Sequence, residues 1–186
     1  MSRNRATDRT SPRSSAGQLV FVLGGAASGK SEAALRLAGA KKPKVFVATG
    51  QGLDEEMSAR IVRHQASRSS DWTTAEVPVE LVDWLTTQGG AYRTIVLDCV
   101  TLWLSNLQGQ GMPEEEIGQK VDALLKAMRT TSAKIVVVSN ELGLGLVPAE
   151  QSVRTFRDVA GRVNQQIATE ADEVHFVISG IPIRVK

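Results

Sequence analysis

Apolar residues fall into five short, β-branched runs separated by longer stretches of helical periodicity. The runs are 19–23 (LVFVL), 44–48 (KVFVA), 94–98 (TIVLD), 134–139 (KIVVVS) and 174–179 (VHFVIS). Near-continuous apolar character over five or six residues predicts strands buried on both faces. A further short strand is expected at 73–77, and 183–186 is expected to pair back on the last run after the turn at 180–182. Helices are predicted over 32–40, 54–63, 79–87, 102–107, 114–131 and 150–170. The apolar stripes are Leu53, Met57, Ile61 and His64 on the second; Leu81, Val82 and Leu85 on the third; Ile117, Val121, Leu124, Leu125 and Met128 on the fifth; and Val153, Phe156, Val163 and Ile167 on the last. Strands alternating with helices imply an α/β three-layer sandwich, its sheet mainly parallel with helices on both faces and a C-terminal antiparallel strand. No repeat or linker interrupts residues 19–186, which read as a single domain.

The first run feeds directly into GGAASGKS, residues 24–31. Strand, glycine loop and helix in that order are the context of a P-loop, so the sandwich is of the P-loop NTPase type. Gly24, Gly25 and Gly29 let the backbone bend until successive N–H groups point at phosphate oxygens, with Ala26, Ala27 and Ser28 completing the cradle. Lys30 reaches the β/γ-phosphates, the Ser31 hydroxyl binds Mg²⁺, and the helix N-terminus adds partial positive charge. Asp98 ends the third run in the Walker B manner, which places a carboxylate near the phosphates and their metal. Ala48, Thr49 and Gly50 end the second run at the ligand side of such a sheet, as Asn140 and Glu141 end the fourth.

Charge and composition narrow the function. The net charge is +2, but residues 1–18 carry Arg3, Arg5, Arg9 and Arg13 against Asp8, leaving the other 168 residues at −1. The basicity belongs to a Ser/Arg-rich tail, expected to be disordered, and the body has no footprint for nucleic acid. No apolar run reaches the roughly 20 residues of a membrane span, and the N-terminus has no apolar segment of a secretory signal. One cysteine, Cys99, precludes an internal disulfide framework; it reads as a buried inert thiol, and a cytoplasmic setting is expected. A GTP-switch reading lacks the N/T-K-x-D guanine motif, since Asn140 is followed by Glu-Leu-Gly. An ATPase of a DNA-handling machine lacks a basic or aromatic strand-binding stripe.

Beyond the P-loop, VATG (47–50), DEEMSARIVRHQ (54–65), DWTTAE (71–76), LDCVTLWLSNL (97–107), VVVSNELGLGLVP (136–148) and RTFRDVAGRVNQQIATEADEV (154–174) form a colinear series. This series resembles the bifunctional adenosylcobinamide kinase / adenosylcobinamide-phosphate guanylyltransferase family of cobalamin biosynthesis. The resemblance implies two reactions: phosphorylation of adenosylcobinamide by ATP or GTP, then transfer of GMP from GTP through a guanylyl-histidine to give adenosyl-GDP-cobinamide. It also implies a homotrimer with sites near subunit interfaces. His64 matches the guanylylated histidine, close in sequence to Arg60, Arg63 and Arg68. By spacing alone it reads rather as a core residue of its helical stripe; the resemblance is what makes it the nucleophile. Glu76 and Asp98 match nucleotide-binding positions, and Gln65, Ala66, Ser67 and Arg68 are expected to lie over the nucleotide. Many members carry arginine where this chain has Ala27; the cradle, built from N–H groups, is expected to survive that change. His175, within the last strand, reads as structural. Arg154, Arg157, Asp158, Arg162 and Gln165 line the polar face of the last helix, which is either solvated or a contact with corrinoid or a subunit.

Overall fold

The computed structural model describes residues 17–52, 55–66 and 68–186; within 55–66 it describes the backbone but not the side chains of Glu56, Met57, Arg60, His64 and Ala66. The expectations for the tail up to residue 16, and for Leu53 and Ser67, lie outside the described residues. Gly17 and Gln18, grouped with the tail by composition, join the body. The Gly17 N–H donates to the Thr131 carbonyl (2.9 Å) and the Ile135 N–H to the Gln18 carbonyl (2.8 Å).

All five apolar runs are strands. β1 (Leu19–Gly24), β2 (Lys44–Ala48), β3 (Trp72–Glu76), β4 (Thr94–Asp98), β5 (Lys134–Asn140), β6 (Glu173–Ile178) and β7 (Ile181–Arg184) form one sheet in the order β3-β2-β4-β5-β1-β6-β7. Every pairing is parallel except β6–β7, where Ile178 faces Ile181 across a two-residue turn. The helices are α1 (Lys30–Ala38), α2 (Glu55–Ala66), α3 (Leu81–Gln88), α4 (Val100–Gly109), α5 (Glu114–Thr130) and α6 (Gln151–Glu170).

Strand alternation divides the core into two. Leu19, Phe21, Val45, Val47, Ile95, Leu97, Ile135 and Val137 face one way, onto Leu81 and Leu85 of α3, Trp103 and Leu107 of α4, Val121 and Leu124 of α5, and Val163 and Ile167 of α6. Val20, Val22, Phe46, Val96, Val136 and Val138 face the other, where Ala33, Ala34 and Ala38 of α1 meet them. The small alanines let α1 approach the sheet closely, which brings the loop before it down onto the strand ends.

Two helices differ from expectation in instructive ways. α1 starts and stops two residues early because Gly29 (φ 89, left-handed) and Gly39 (φ 78, ψ −160) bracket it in positive-φ conformations that favour glycine. In α6 the predicted stripe holds only over its second half: Val163 and Ile167 are buried, but Phe156 is half-buried and Val153 is 45% exposed. Its first turn is tied to the preceding loop, where Arg154 Nη1 donates to the carbonyls of Pro148 (2.9 Å) and Ala149 (2.6 Å). Leu125 and Val82, expected inward, are half-buried.

Candidate active site

A parallel sheet sends its strand ends to one edge, and six of the seven strands here deliver a loop there. The tightest loop follows β1. A Cβ on Gly24 would lie 2.5 Å from the Val177 carbonyl oxygen, so only glycine lets β1 and β6 pair at this point. Left-handed Ala27 (φ 53) and Gly29 (φ 89) then turn the loop back over the start of α1. Lys30 is only 8% exposed, its ammonium folded onto the Gly25 carbonyl. The loop is thus closed on itself: the Lys30 ammonium and the Ser28 N–H (3.3 Å) both turn onto the Gly25 carbonyl. Ser31, half-buried, stands in the first turn of the helix.

Asp98 ends β4, in register with Ala48 of β2 and Val138 of β5. Its charge acts on two neighbours: it opposes the lowering of the Arg68 guanidinium by burial, and it adds to the burial that pushes the Cys99 thiol up to about 12. Lys30 opposes the latter rise, so Lys30, Asp98 and Cys99 occupy one electrostatic neighbourhood. Cys99 is 4% exposed and protonated at neutral pH, which bears out an inert thiol.

Thr49 is fully buried and wholly committed. Its hydroxyl donates to the Cys99 carbonyl (2.7 Å) and accepts from the Cys99 N–H (2.9 Å). Its own N–H donates to the Asp98 carbonyl (3.0 Å), and Asn106 Nδ2 donates to its carbonyl (2.7 Å). Thr49 therefore sets where Asp98 and Cys99 sit. Asn106 also donates to the Pro78 carbonyl (2.9 Å), tying the ends of β2 and β3 to α4. Neither Asn106 nor Thr101 was legible as a site residue, because their partners lie far along the chain. Thr101 Oγ1 accepts from the Asn140 N–H (2.8 Å), and Asn164 Nδ2 on α6 donates to the Asn140 carbonyl (3.1 Å). The Glu141 N–H donates to the Gly24 carbonyl (2.9 Å), joining the end of β5 to the start of the P-loop.

The end of α2 is carried to the same edge. Gln65 Nε2 donates to Glu76 Oε1 (3.2 Å), and Glu76 is in register with Ala48 at the end of β2. Arg68 stacks on the Phe46 ring at 4.0 Å and donates to Thr74 Oγ1 (3.2 Å). His64 lies in the last turn of α2, one residue before Gln65; its side chain is outside the described residues. His175 is 7% exposed within β6, its Nε2 paired with Glu173 Oε2 at 3.2 Å, as a structural histidine requires. A cavity of about 470 Å³ opens at the opposite edge, lined by residues that include Lys41, Arg93 and Lys134, and none of the sequence candidates lines it.

Among the described residues no three His, Cys, Asp or Glu side chains converge as a ready-made metal cage. One serine hydroxyl and one carboxylate, Ser31 and Asp98, are instead the sparse oxygen donors suited to Mg²⁺, which keeps waters and takes its other ligands from substrate phosphates.

Residues 20–185 match the family model described as cobinamide kinase / cobinamide phosphate guanyltransferase. The chain is 39% identical over 180 residues to the bifunctional adenosylcobalamin biosynthesis protein CobU of Salmonella typhimurium, covering 90% of this chain and 99% of that protein. It is 40% identical over 167 residues to the corresponding protein CobP of Pseudomonas aeruginosa, covering 89% and 96%. Among solved structures, it is similar to a KaiC-like protein of Pyrococcus horikoshii, with a TM-score of 0.51 at 14% identity over 87% of this chain and 71% of that one. A type III secretion system ATPase from pathogenic bacteria gives a TM-score of 0.54 at 11% identity, covering 91% and 57%. At such identities these two show the fold alone.

Proposed function

The chain belongs to the cobinamide kinase / cobinamide phosphate guanyltransferase family of kinases and nucleotidyltransferases, and we propose that it performs both reactions at the strand-end edge. In the first, ATP or GTP phosphorylates the terminal hydroxyl of adenosylcobinamide. In the second, His64 attacks the α-phosphorus of GTP: an N–P bond forms, the P–O bond to pyrophosphate breaks, and pyrophosphate leaves. The phosphate oxygen of adenosylcobinamide phosphate then attacks the same phosphorus. A P–O–P linkage forms, the N–P bond breaks, and His64 is restored as adenosyl-GDP-cobinamide departs.

The observation that carries this reading is the joining of α2 to the P-loop edge. Gln65, next to His64, is hydrogen-bonded to Glu76, and Arg68, whose guanidinium Asp98 influences, lies three residues beyond Gln65. Neutral imidazole is nucleophilic near pH 7, and its phosphoramidate transfers readily to oxygen. Gly24, Gly25, Ala26, Ala27, Ser28 and Gly29 cradle the phosphates through backbone N–H groups, and Lys30 serves both half-reactions. Ala48, Gly50, Gln65, Ala66, Ser67, Arg68 and Glu76 surround the remainder of the nucleotide, with Thr49 as the buried support beneath them. Ser31 and Asp98 would hold Mg²⁺, which supplies charge neutralisation of the phosphates when bound.

The enzyme works in the cytoplasm, where its nucleotides are, and as a homotrimer. Leu144, Leu146, Val147 and Val153, and Ile181, Ile183 and Val185 on and beyond β7, are exposed apolar side chains that association would cover.

Labelling with α-³²P-GTP tests the assignment. Wild-type protein retains label after denaturation, labile in acid and stable in alkali, and takes none from γ-labelled GTP. His64→Ala loses labelling and GMP transfer but keeps kinase activity; Lys30→Ala loses both activities. Retained α-label in His64→Ala, or label on His175, would show that His64 is a residue of its helical stripe and not the nucleophile.

A further inference from the structure

The turn between β6 and β7 touches the P-loop, and nothing in the P-loop motif accounts for it. Ser179 (φ 50) and Gly180 (φ 83) are both left-handed, the signature of a two-residue hairpin turn of the primed type. In such a turn the N–H of the second central residue has no partner in the ladder. Here it has one elsewhere: the Gly180 N–H donates to the Ser28 carbonyl, 2.8 Å away. The approach is close enough that a Cβ on Gly29 would lie 3.0 Å from the Gly180 Cα. On the other side of the turn, Arg36 Nη2 of α1 reaches the Gly180 carbonyl at 3.4 Å. The turn is thus held between the P-loop and the helix that follows it.

A trans peptide fixes what this does to the loop. The carbonyl of residue i and the N–H of residue i+1 share one plane and point in opposite directions. Holding the Ser28 carbonyl on the hairpin therefore aims the Gly29 N–H away from the hairpin, toward the inner side of the loop. That N–H immediately precedes Lys30 and is one of the donors that the cradle needs. We propose that Gly180 is a positioning residue for nucleotide binding, orienting the Ser28–Gly29 peptide so that the Gly29 N–H faces a phosphate. This rests on the P-loop reading of the preceding section.

The geometry also says which substitutions discriminate. Nothing lies within 4 Å of a Cβ built on Gly180, so a side chain has room, and only the left-handed backbone resists it. Valine opposes that conformation strongly, whereas asparagine adopts it. GTP binding by calorimetry, with the ¹H–¹⁵N signal of Gly29 followed during titration, is measured on variants shown folded by near-ultraviolet circular dichroism. Gly180→Val is expected to weaken GTP about 10-fold, the scale of one hydrogen bond to a charged group. It should also lose the GTP-dependent shift of the Gly29 amide. Gly180→Asn is expected to bind within about 2-fold of wild type and keep that shift. Wild-type GTP affinity in Gly180→Val, or Asn as weak as Val, overturns the inference. Lys30→Ala is the control: if it binds GTP normally, the phosphate-site reading fails and takes the inference with it. If Lys30→Ala loses GTP and Gly180→Val does not, the inference fails alone.

Discussion

Replacing Thr49 with valine keeps the volume and β-branching of a fully buried residue and removes one oxygen. That oxygen makes two bonds, donating to the Cys99 carbonyl at 2.7 Å and accepting from the Cys99 N–H at 2.9 Å. Cys99 is 4% exposed, so water does not readily replace them. An orphaned buried polar group costs about 1–3 kcal/mol. The Cys99 carbonyl keeps the Trp103 N–H (3.1 Å), so the one group orphaned, the Cys99 N–H, predicts a loss of about 2 kcal/mol. For a domain of this size that corresponds to a fall in Tm of roughly 4–8 °C. Thr49→Ser keeps the hydroxyl and loses one methyl group, for about 1 kcal/mol. The assays are thermal unfolding followed by circular dichroism, with Tm compared, and kcat/KM for the nucleotide. Because Thr49 supports the Asp98–Cys99 backbone, Thr49→Val should lower kcat/KM even well below its Tm, and Thr49→Ser should do so much less. A Thr49→Val Tm within about 2 °C of wild type would refute the argument, since the Cys99 N–H would then have found another partner at no cost.

Three further outcomes are expected. Cys99 should resist a thiol-specific disulfide reagent in the native protein and react stoichiometrically once unfolded in urea, because burial both shields it and pushes its pKa up to about 12; rapid native labelling contradicts this. Glu173 is held below the usual carboxylate range, first by its hydrogen bond to His175, with Arg184 and Lys134 adding. A depressed folded-state value contributes stability above the unfolded pKa that is lost as pH falls through the folded one. The stability difference between wild type and Glu173→Gln, from urea curves, should therefore be present at neutral pH and close below about pH 4. Deleting residues 2–16 should leave Tm and both activities unchanged, whereas a deletion extending through Gln18 should lower Tm, since it removes the bonds to Thr131 and Ile135.

The P-loop and the five core strands were legible because their signals are local. Continuous β-branched runs specify strands buried on both faces, and GGAASGKS specifies a backbone shape within eight residues. The colinear series of longer motifs likewise carried the family, and the match over residues 20–185 agrees. The helical stripes were legible in period but not in partner. Val153 and Phe156 fall on the same face of α6 as Val163 and Ile167, yet only the last two are fully buried; Phe156 packs at the core's margin and Val153 is exposed, because periodicity records a face and not what covers it.

The arrangement of the site belongs to the tertiary structure. The strand order places β4 and β5 between β2 and β1, so residues from four separate segments share one edge, and no local pattern encodes that order. Thr49 reads in sequence as a strand-end residue beside a ligand; the fold makes it the hydrogen-bonded brace of a residue fifty positions away. Gly180 reads as a turn glycine; the fold sets its one unused N–H on Ser28, more than 150 positions earlier. Hydrophobic period and turn chemistry act over a few residues and can be read from them. A hydrogen bond between distant segments exists only once the burial of both cores has brought its donor and acceptor together, so sequence alone determined which elements form and which chemistry they carry, and packing decided which groups meet.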